Sequence, residues 1–434
     1  MSGQVREVLS HLCRVPSPPL PDGEKGPGGE VLHGTATSLP FPDEHFDAVL
    51  TDPPYYDNVP YSHLSDFFYV WLKRTIGDLY PDLFATPLTP KADEMVAYTT
   101  EAGGMEGAKR RFEAQFTEAF REIARVLKPE GVAVVVFAHK TTEAWESIIQ
   151  ALLEAGLYLT ASWPIHTEMQ ARLRAQGSAA LASSIYMVCR KRTTREVGEY
   201  APVREAIARR VRERLAQFWD EGIRGADFFM SAIGPAVEVF GRYERVEKLS
   251  GEVVTVGEWL EYVQQVVAEF ALERVLRSPS LGGVDAETRF YLLWRWTYNH
   301  ARVPFDEANK LARAVGAELV DLWNRSGFVK KEKEYVRVLG PVERARDRRF
   351  LERERYTTLV DALHKACILW QAGHRAALLK HLALNHGGDE VFWRVAQSIA
   401  DVLPSGDKEK QWLQGLLNVR GTGPIPTAQQ GELL

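Results

Sequence analysis

The chain has 434 residues, a length that predicts two or three domains rather than one compact core. Its apolar fraction of 45% and charged fraction of 26% are those of an ordinary globular protein, and a net charge of −5 supplies no overall basic field for nucleic acid. The three cysteines, Cys13, Cys189 and Cys367, stand far apart, which argues against a disulfide framework or a cysteine-based zinc site and suits a reducing setting.

The opening MSGQVREVLSHLC lacks the basic segment and apolar stretch of a signal peptide, and no run is long enough to span a membrane; a cytoplasmic protein is expected. Residues 1–29 end in VPSPPLPDGEKGPGG, whose prolines and glycines predict a linker or entry segment. An α/β pattern follows over residues 30–195. Glu30–His33 is a short strand candidate, and the apolar run Phe46–Leu50 (FDAVL) suits a buried parallel strand. Ser65–Lys73 reads as helix, with aromatics on most faces. Pro81–Glu106 is a long irregular excursion, the pattern of a lid or binding loop. Gly107–Leu127 reads as an amphipathic helix, with Phe112, Phe116, Phe120, Ile123 and Leu127 at three- and four-residue spacing. Lys128-Pro129-Glu130-Gly131 ends it before a second buried strand, Val132–Ala138. Thr142–Ala155 reads as helix stopped by Gly156, and Tyr158–Trp163 and Ser184–Cys189 are the remaining strand candidates.

From about Tyr200 the periodicity becomes helical, over 202–219, 256–277, 286–300, 305–315, 356–384 and 389–403. This predicts a helical linker region at 196–280 and a helical C-terminal domain at 281–420, with 421–434 an aperiodic, disordered tail. Phe305–Val315, Ala317–Asn324 and the charged hairpin candidate Gly327–Leu339 follow one another in the order of a winged-helix nucleic-acid reader. The aromatics of Phe290–Tyr298 are spaced as core.

The most informative stretch is Asp52-Pro53-Pro54-Tyr55, directly after the FDAVL strand. In an open α/β sheet, ligands bind beyond the carboxyl ends of the strands. Two prolines fix φ and remove two donors, so the carbonyls there are held in a rigid turn. The Asp52 carboxylate and the Pro53 carbonyl can each accept one N–H of an exocyclic amine while the Tyr55 ring stacks on the base. Holding both hydrogens helps the amine pyramidalise and aims its lone pair at an electrophilic methyl group. Tyr56, Asp57 and Asn58 follow and would line the same pocket.

Other candidates carry weaker signals. His139-Lys140 and Trp163–Glu168 (WPIHTE) end strands at the same sheet edge and could touch a cofactor, phosphate or base; His166 and Glu168 lack a third partner for a metal, so none is assigned. The runs Arg204–Arg214 and Arg344–Arg355 interleave arginine with glutamate, a pattern of exposed helix faces that can also meet a DNA backbone.

The DPPY tetrapeptide is the catalytic motif of S-adenosylmethionine-dependent amino-methyltransferases, mostly those acting on adenine in DNA. The stretch DPPYYDNVPYSHLSDFFYVWLKR (Asp52–Arg74) resembles the large adenine-specific DNA methylases, with a domain of unknown function and a zinc ribbon, that occur in phage-defence gene clusters. The resemblance extends to DFFMSAIGPAVEVFGRYERVEKLSGE (Asp227–Glu252) and TRFYLLWRWTY (Thr288–Tyr298). It implies a Rossmann-like methyltransferase sheet followed by a mainly helical region, with Asp52, Pro53, Pro54 and Tyr55 binding and activating the target amine. It also implies S-adenosylmethionine as cofactor and DNA, its target adenine flipped out, as partner.

The departures are equally specific. The family's glycine-rich loop after the first strand and its ribose-holding acid have no counterpart in the first thirty or so residues, and the zinc-ribbon cysteines are missing. Gly34-Thr35-Ala36 stands where the family has Gly-Asp-Ala near the cofactor's adenine, making these three the cofactor-binding candidates. The chain thus resembles the second half of the methylase, its first strands missing, and a second subunit is expected to carry the glycine-rich loop. Ala232–Gly241 (AIGPAVEVFG) is a poor substitute for that loop, and Gly234 reads as a helix cap. Two other functions fit the same residues: a non-catalytic DNA-recognition or scaffold subunit of a defence complex, and an RNA or protein amino-methyltransferase.

Overall fold

The computed structural model describes residues 34–54, 59–91, 94–97, 104–139, 141–166, 183–324 and 327–420. Glu30–His33 and the tail 421–434 lie outside them. Phe46–Thr51 is the first strand described, β1, and Tyr61–Ile76 follows as α1. In α2 (Gly104–Val126) the row Phe112, Phe116, Phe120 and Ile123 is buried, its phenyl rings meeting in succession at 4.9 and 4.8 Å. Side chains three or four apart share one helix face, so this row becomes the covered side. β2 (Leu127–Phe137), α3 (Thr142–Glu154), β3 (Leu157–His166) and β4 (Ser183–Lys191) complete the α/β part. Gly156, at φ +76, turns the chain out of α3 into β3.

These strands form a mixed four-stranded sheet in the order β1-β2-β4-β3, with β1 at one edge. β1 and β2 are parallel, Ala48 facing Val132 and Thr51 facing Val135. The register shifts between Phe46↔Leu127 and Ala48↔Val132, so Lys128, Pro129, Glu130 and Gly131 all stand against Asp47. The sequence predicts that these residues precede the strand; instead they bulge within it. Pro129 cannot donate to a ladder, and the Lys128 ammonium reaches Asp47 Oδ1 at 2.7 Å across the bulge. A second correction concerns β1, predicted buried. Ala48 and Leu50, which share one face of β1, are exposed, Leu50 at 76%, because no described element covers that face of the edge strand.

The remaining elements are β5 (Val197–Glu199), α4 (Tyr200–Asp220), α5 (Gly225–Ser231), α6 (Ile233–Phe240), β6 (Arg245–Glu247), α7 (Val256–Val275) and α8 (Ala286–Tyr298). After them come β7 (Val303–Pro304), α9 (Phe305–Ala314), α10 (Leu319–Asn324), β8 (Val329–Glu332) and β9 (Tyr335–Val338). The chain then runs through α11 (Pro341–Arg344), α12 (Arg348–Leu351), α13 (Leu359–Gln371), α14 (Arg375–Leu384), α15 (Glu390–Val402) and α16 (Lys408–Arg420). The single helix expected over 356–384 is two, because Gly373 at φ +72 turns the chain between α13 and α14. Gly234 is not a cap but lies inside α6. A Cβ there would stand 1.9 Å from Ser162 Oγ, so close approach to β3 demands glycine. Phe290, Tyr291, Leu293 and Trp294 of α8 are fully buried, as their spacing predicts.

The described residues fall into two compact units, one within Met1–Phe137, Ser147–Thr160 and Met187–Thr193, the other within Ala138–Glu146, Ala161–Tyr186 and Thr194–Leu434. The division does not follow a single cut near residue 195. In the second unit two ion pairs are sealed in the interior. Arg295 Nε lies 3.0 Å from Glu409 Oε2, too poorly aligned for a hydrogen bond, while the Tyr291 hydroxyl donates to Glu409 Oε1 at 2.6 Å. Arg344 donates to Asp361 Oδ1 at 2.6 Å with Phe350 stacked on its guanidinium. The basic run that begins at Arg344 is therefore anchored in the core rather than wholly displayed as a solvated face.

Candidate active site

Beyond Thr51 the chain leaves β1 through Asp52, Pro53 and Pro54, with Asp52 exposed and both prolines half-buried. Val59 and Pro60 lead into α1, whose N-cap position is Pro60 and makes no side-chain cap. Proline suits a helix entry, but leaves the first N–H groups in need of acceptors. Glu94 supplies them from the excursion: its Oε1 accepts from Ser62 N at 3.0 Å and its Oε2 from the Ser62 hydroxyl. A carboxylate at a helix N-terminus is also favoured by the helix dipole. The result is an open cavity of about 380 Å³ lined by Asp52, Pro53, Pro54, Tyr61, Glu94 and Met95. That volume falls in the range of small-molecule sites, roughly 300–1,000 Å³.

The excursion is fastened along α1. Asp66 accepts from Lys91 Nζ at 2.8 and 2.9 Å and from the Thr89 hydroxyl at 2.6 Å; these partners pull its carboxyl down to about 2. The Tyr69 hydroxyl donates to the Thr86 carbonyl at 2.9 Å, and Lys73 Nζ reaches the same carbonyl at 2.8 Å. So the described part of this segment, residues 81–91 and 94–97, is a tethered wall of the cavity rather than a loose lid.

Of the residues singled out in the sequence, Asp52, Pro53 and Pro54 are brought together at this cavity. Tyr55, Tyr56, Asp57 and Asn58 lie outside the described residues. Gly34, Thr35 and Ala36 form an exposed turn closed by the Thr35–Ser38 bridge and are not among the residues lining the cavity. The chain after that turn is tied to α2: Leu39 N donates to Glu122 Oε2 at 2.8 Å, and Arg125 donates to Asp43 at 2.8 Å. Arg125 and the Leu39 amide hold the Glu122 carboxyl down at about 2.

The secondary candidates have structural partners. His139 is buried; its Nδ1 sits 2.8 Å from the Thr141 hydroxyl, and its carbonyl accepts from Trp145 Nε1 at 2.9 Å. Trp163 is exposed, while Lys140, Glu168 and the side chain of His166 lie outside the described residues. In the first basic run, Arg210 pairs with Glu238 and Glu213, and Arg212 with Glu269 and Glu273. Cys189 and Cys367 are buried free thiols, and burial pushes Cys189 up to about 12. Among the described residues no three His, Cys, Asp or Glu side chains gather as a metal would need, and no helix is long and apolar enough to cross a membrane.

Sequence reading missed Tyr61, Glu94 and Met95. The one local signal was Ser62 in the first turn of a helix whose cap position is a proline, which calls for an acceptor from elsewhere in the chain. Comparison with known proteins adds nothing to this geometry: no family model, curated protein or solved structure matches the chain.

Proposed function

We propose that the chain is the target-base half of an S-adenosylmethionine-dependent methyltransferase acting on the exocyclic amino group of adenine in DNA, in a restriction or phage-defence setting. The observation that carries this reading is the cavity at the carboxyl end of β1, walled by Asp52, Pro53 and Pro54. The Asp52 carboxylate and the Pro53 carbonyl accept the two N–H groups of a flipped-out base, and Tyr55 offers its ring to the base plane. S-adenosylmethionine supplies an electrophilic methyl group when bound. The protein's share is to hold the amine in line, to keep its lone pair free of the ring and to exclude water. In such a transfer the bond from the methyl carbon to the sulfonium sulfur would break as the bond to the amine nitrogen forms, leaving a neutral thioether, and Asp52 would take the proton that the amine sheds or pass it to water.

Among the described residues the cavity lining contains no glycine; its two acids are Asp52, assigned to the target amine, and Glu94, which is engaged with Ser62. A second subunit carrying the glycine-rich loop fits the open side of β1, the edge strand with Leu50 exposed, and would complete a Rossmann-like sheet. Parallel strands are normally covered on both faces, and among the described residues Ala48 and Leu50 of β1 are not.

The test is methyl transfer from labelled S-adenosylmethionine to duplex DNA, using this chain co-expressed with a polypeptide that bears a strand and glycine-rich loop. Activity is expected, and Asp52→Ala should lower it by about 10²–10³-fold or more. Persistent inactivity of the pair favours a non-catalytic recognition or scaffold subunit. Labelling of structured RNA or protein in place of duplex DNA favours an RNA or protein amino-methyltransferase.

A further inference from the structure

A different feature belongs wholly to the second unit. Between Ala286 and Val338 the elements run α8, β7, α9, α10, β8, β9, and the three strands form an antiparallel sheet in the order β7-β9-β8. α9 and α10 are joined by Val315–Glu318, with Gly316 at φ +77, a connection of the length found in helix-turn-helix pairs. Val303, Leu311, Leu319, Leu322, Phe328 and Val336 are all buried, so helices and sheet share one core. This is the winged-helix order that the sequence spacing suggested, now with its first helix, its first strand and its sheet in place.

The module displays two things. α10 buries Leu319 and Leu322 and leaves Val320 53% and Trp323 40% exposed. The β8–β9 hairpin exposes Lys330, Lys331 and Lys333. Arg337 of β9 and Arg302, just before β7, share a single carboxylate, Glu332, with Lys330 at 3.6–3.8 Å. Lys331 and Lys333 have no carboxylate partner among the described residues. Lys331 lies over the rings of Phe305 at 4.8 Å and Trp323 at 5.5 Å, which places the hairpin cations and the exposed side of α10 on one surface. Lys333 occupies the turn at φ +59, a left-handed conformation in which glycine costs least.

We propose that α10 and the β8–β9 hairpin form a binding surface for double-stranded DNA, with α10 towards a groove and the hairpin lysines on backbone phosphates. Charge selects this occupant for the hairpin: a chain of net charge −5 gathers Arg302, Lys330, Lys331, Lys333 and Arg337 against Glu332 and Glu334, while the acids Glu318 and Asp321 lie at the start of α10. Phosphate contacts position such a module, and side chains such as Trp323 and Val320 are placed for bases or sugars. The surface deepens the methyltransferase reading by giving DNA a place to dock, but its geometry does not depend on that reading.

The experiment is fluorescence anisotropy of a labelled duplex titrated with the full chain at several salt concentrations. Lys331→Glu/Lys333→Glu should weaken binding by about tenfold or more and flatten the dependence of log affinity on log salt by about two, one for each lost phosphate contact. Lys333→Glu alone, at an exposed turn, should produce roughly half of that change in slope with the melting temperature unchanged. Arg204→Glu, in the other basic run, should leave the duplex affinity as it was. An unchanged affinity and slope in the lysine variants would overturn the proposal. So would a full chain that ignores duplex, or a loss that follows Arg204 instead. Duplex binding that persists in a catalytically inert reconstituted pair would sink the methyl-transfer reading and leave this surface standing.

Discussion

Leu50, Leu64, Phe67, Phe68 and Trp71 in the first unit are each more than half exposed, whereas Phe290, Tyr291, Leu293 and Trp294 in the second are covered completely. The residue types are the same, and both α1 and α8 are regular helices. The difference lies in what stands opposite. α8 meets Phe328 and a sheet, and its Arg295 finds Glu409; α1 has Tyr69 and Ser62 as its buried residues and turns the rest of its aromatics outward. The second unit therefore closes its own core, while the β1–α1 face has the surface of a half-finished layer. Among the described residues, that contrast leaves on β1 and α1 an apolar surface for the proposed second subunit to cover.

The largest test of the contrast is Glu409→Ala. It would deprive Arg295, whose side chain is inaccessible to solvent, of its paired carboxylate, leaving Glu343 as a weaker opposing charge, and remove the acceptor of the Tyr291 hydroxyl. Breaking one side of a buried pair costs about 3–5 kcal/mol, read as a lower midpoint in urea. A loss below about 1 kcal/mol would mean that water already reaches this pair and that the second unit is less closed than its burial implies.

A smaller effect comes from acid. His381 is buried, shares its ring nitrogens with the Ala362 carbonyl and the Asn385 amide, and is pushed down to about 4 by that burial, with Lys365 adding to the shift. His364, beside Arg344, is shifted the same way. A histidine whose folded pKa lies below its unfolded value of 6.5 is most stabilising when neutral. Its contribution is complete above pH 6.5 and is lost as the pH falls through about 4, by up to about 3 kcal/mol for such a shift. NMR titration of His381 checks this directly; a midpoint near its ordinary value would show α14 opening to solvent.

Much of this architecture was legible beforehand, and the misses share a cause. Strong periodicity over ten or more residues gave α2, α3, α4, α7 and α15 within a few residues, because burying one helix face is a local pattern. Asp52, Pro53 and Pro54 could be singled out because they are contiguous, and they do line one cavity. The exposure of β1 was not legible: FDAVL has the composition of a buried strand whether or not a neighbour is present to cover it. Nor was Glu94, which reaches back over 32 positions, past the length of α1 and the excursion after it, to Ser62. Three-residue strands such as β5 and β6 carry too little pattern to stand out, and Gly234 reads as a cap until Ser162 is seen against it.

The smallest expected change is the sharpest test of incompleteness. Phe67→Ser with Trp71→Ser removes two large rings from α1, a change that in a closed core costs about 3–5 kcal/mol per ring. Phe67 meets Phe68 edge-on at 5.3 Å and Trp71 carries the Arg74 guanidinium at 5.7 Å, but both rings are mostly in water. Serine is no worse a helix former than these aromatics, so the isolated chain should change by less than about 0.5 kcal/mol in denaturant. The same pair of substitutions should weaken association with the loop-bearing subunit, measured by co-purification or calorimetry, because there the rings would leave water. A large loss of stability in the chain alone would mean that α1 is already covered in solution. In that case the open face would belong to this chain's own fold, and the need for a second subunit at β1 would fall with it.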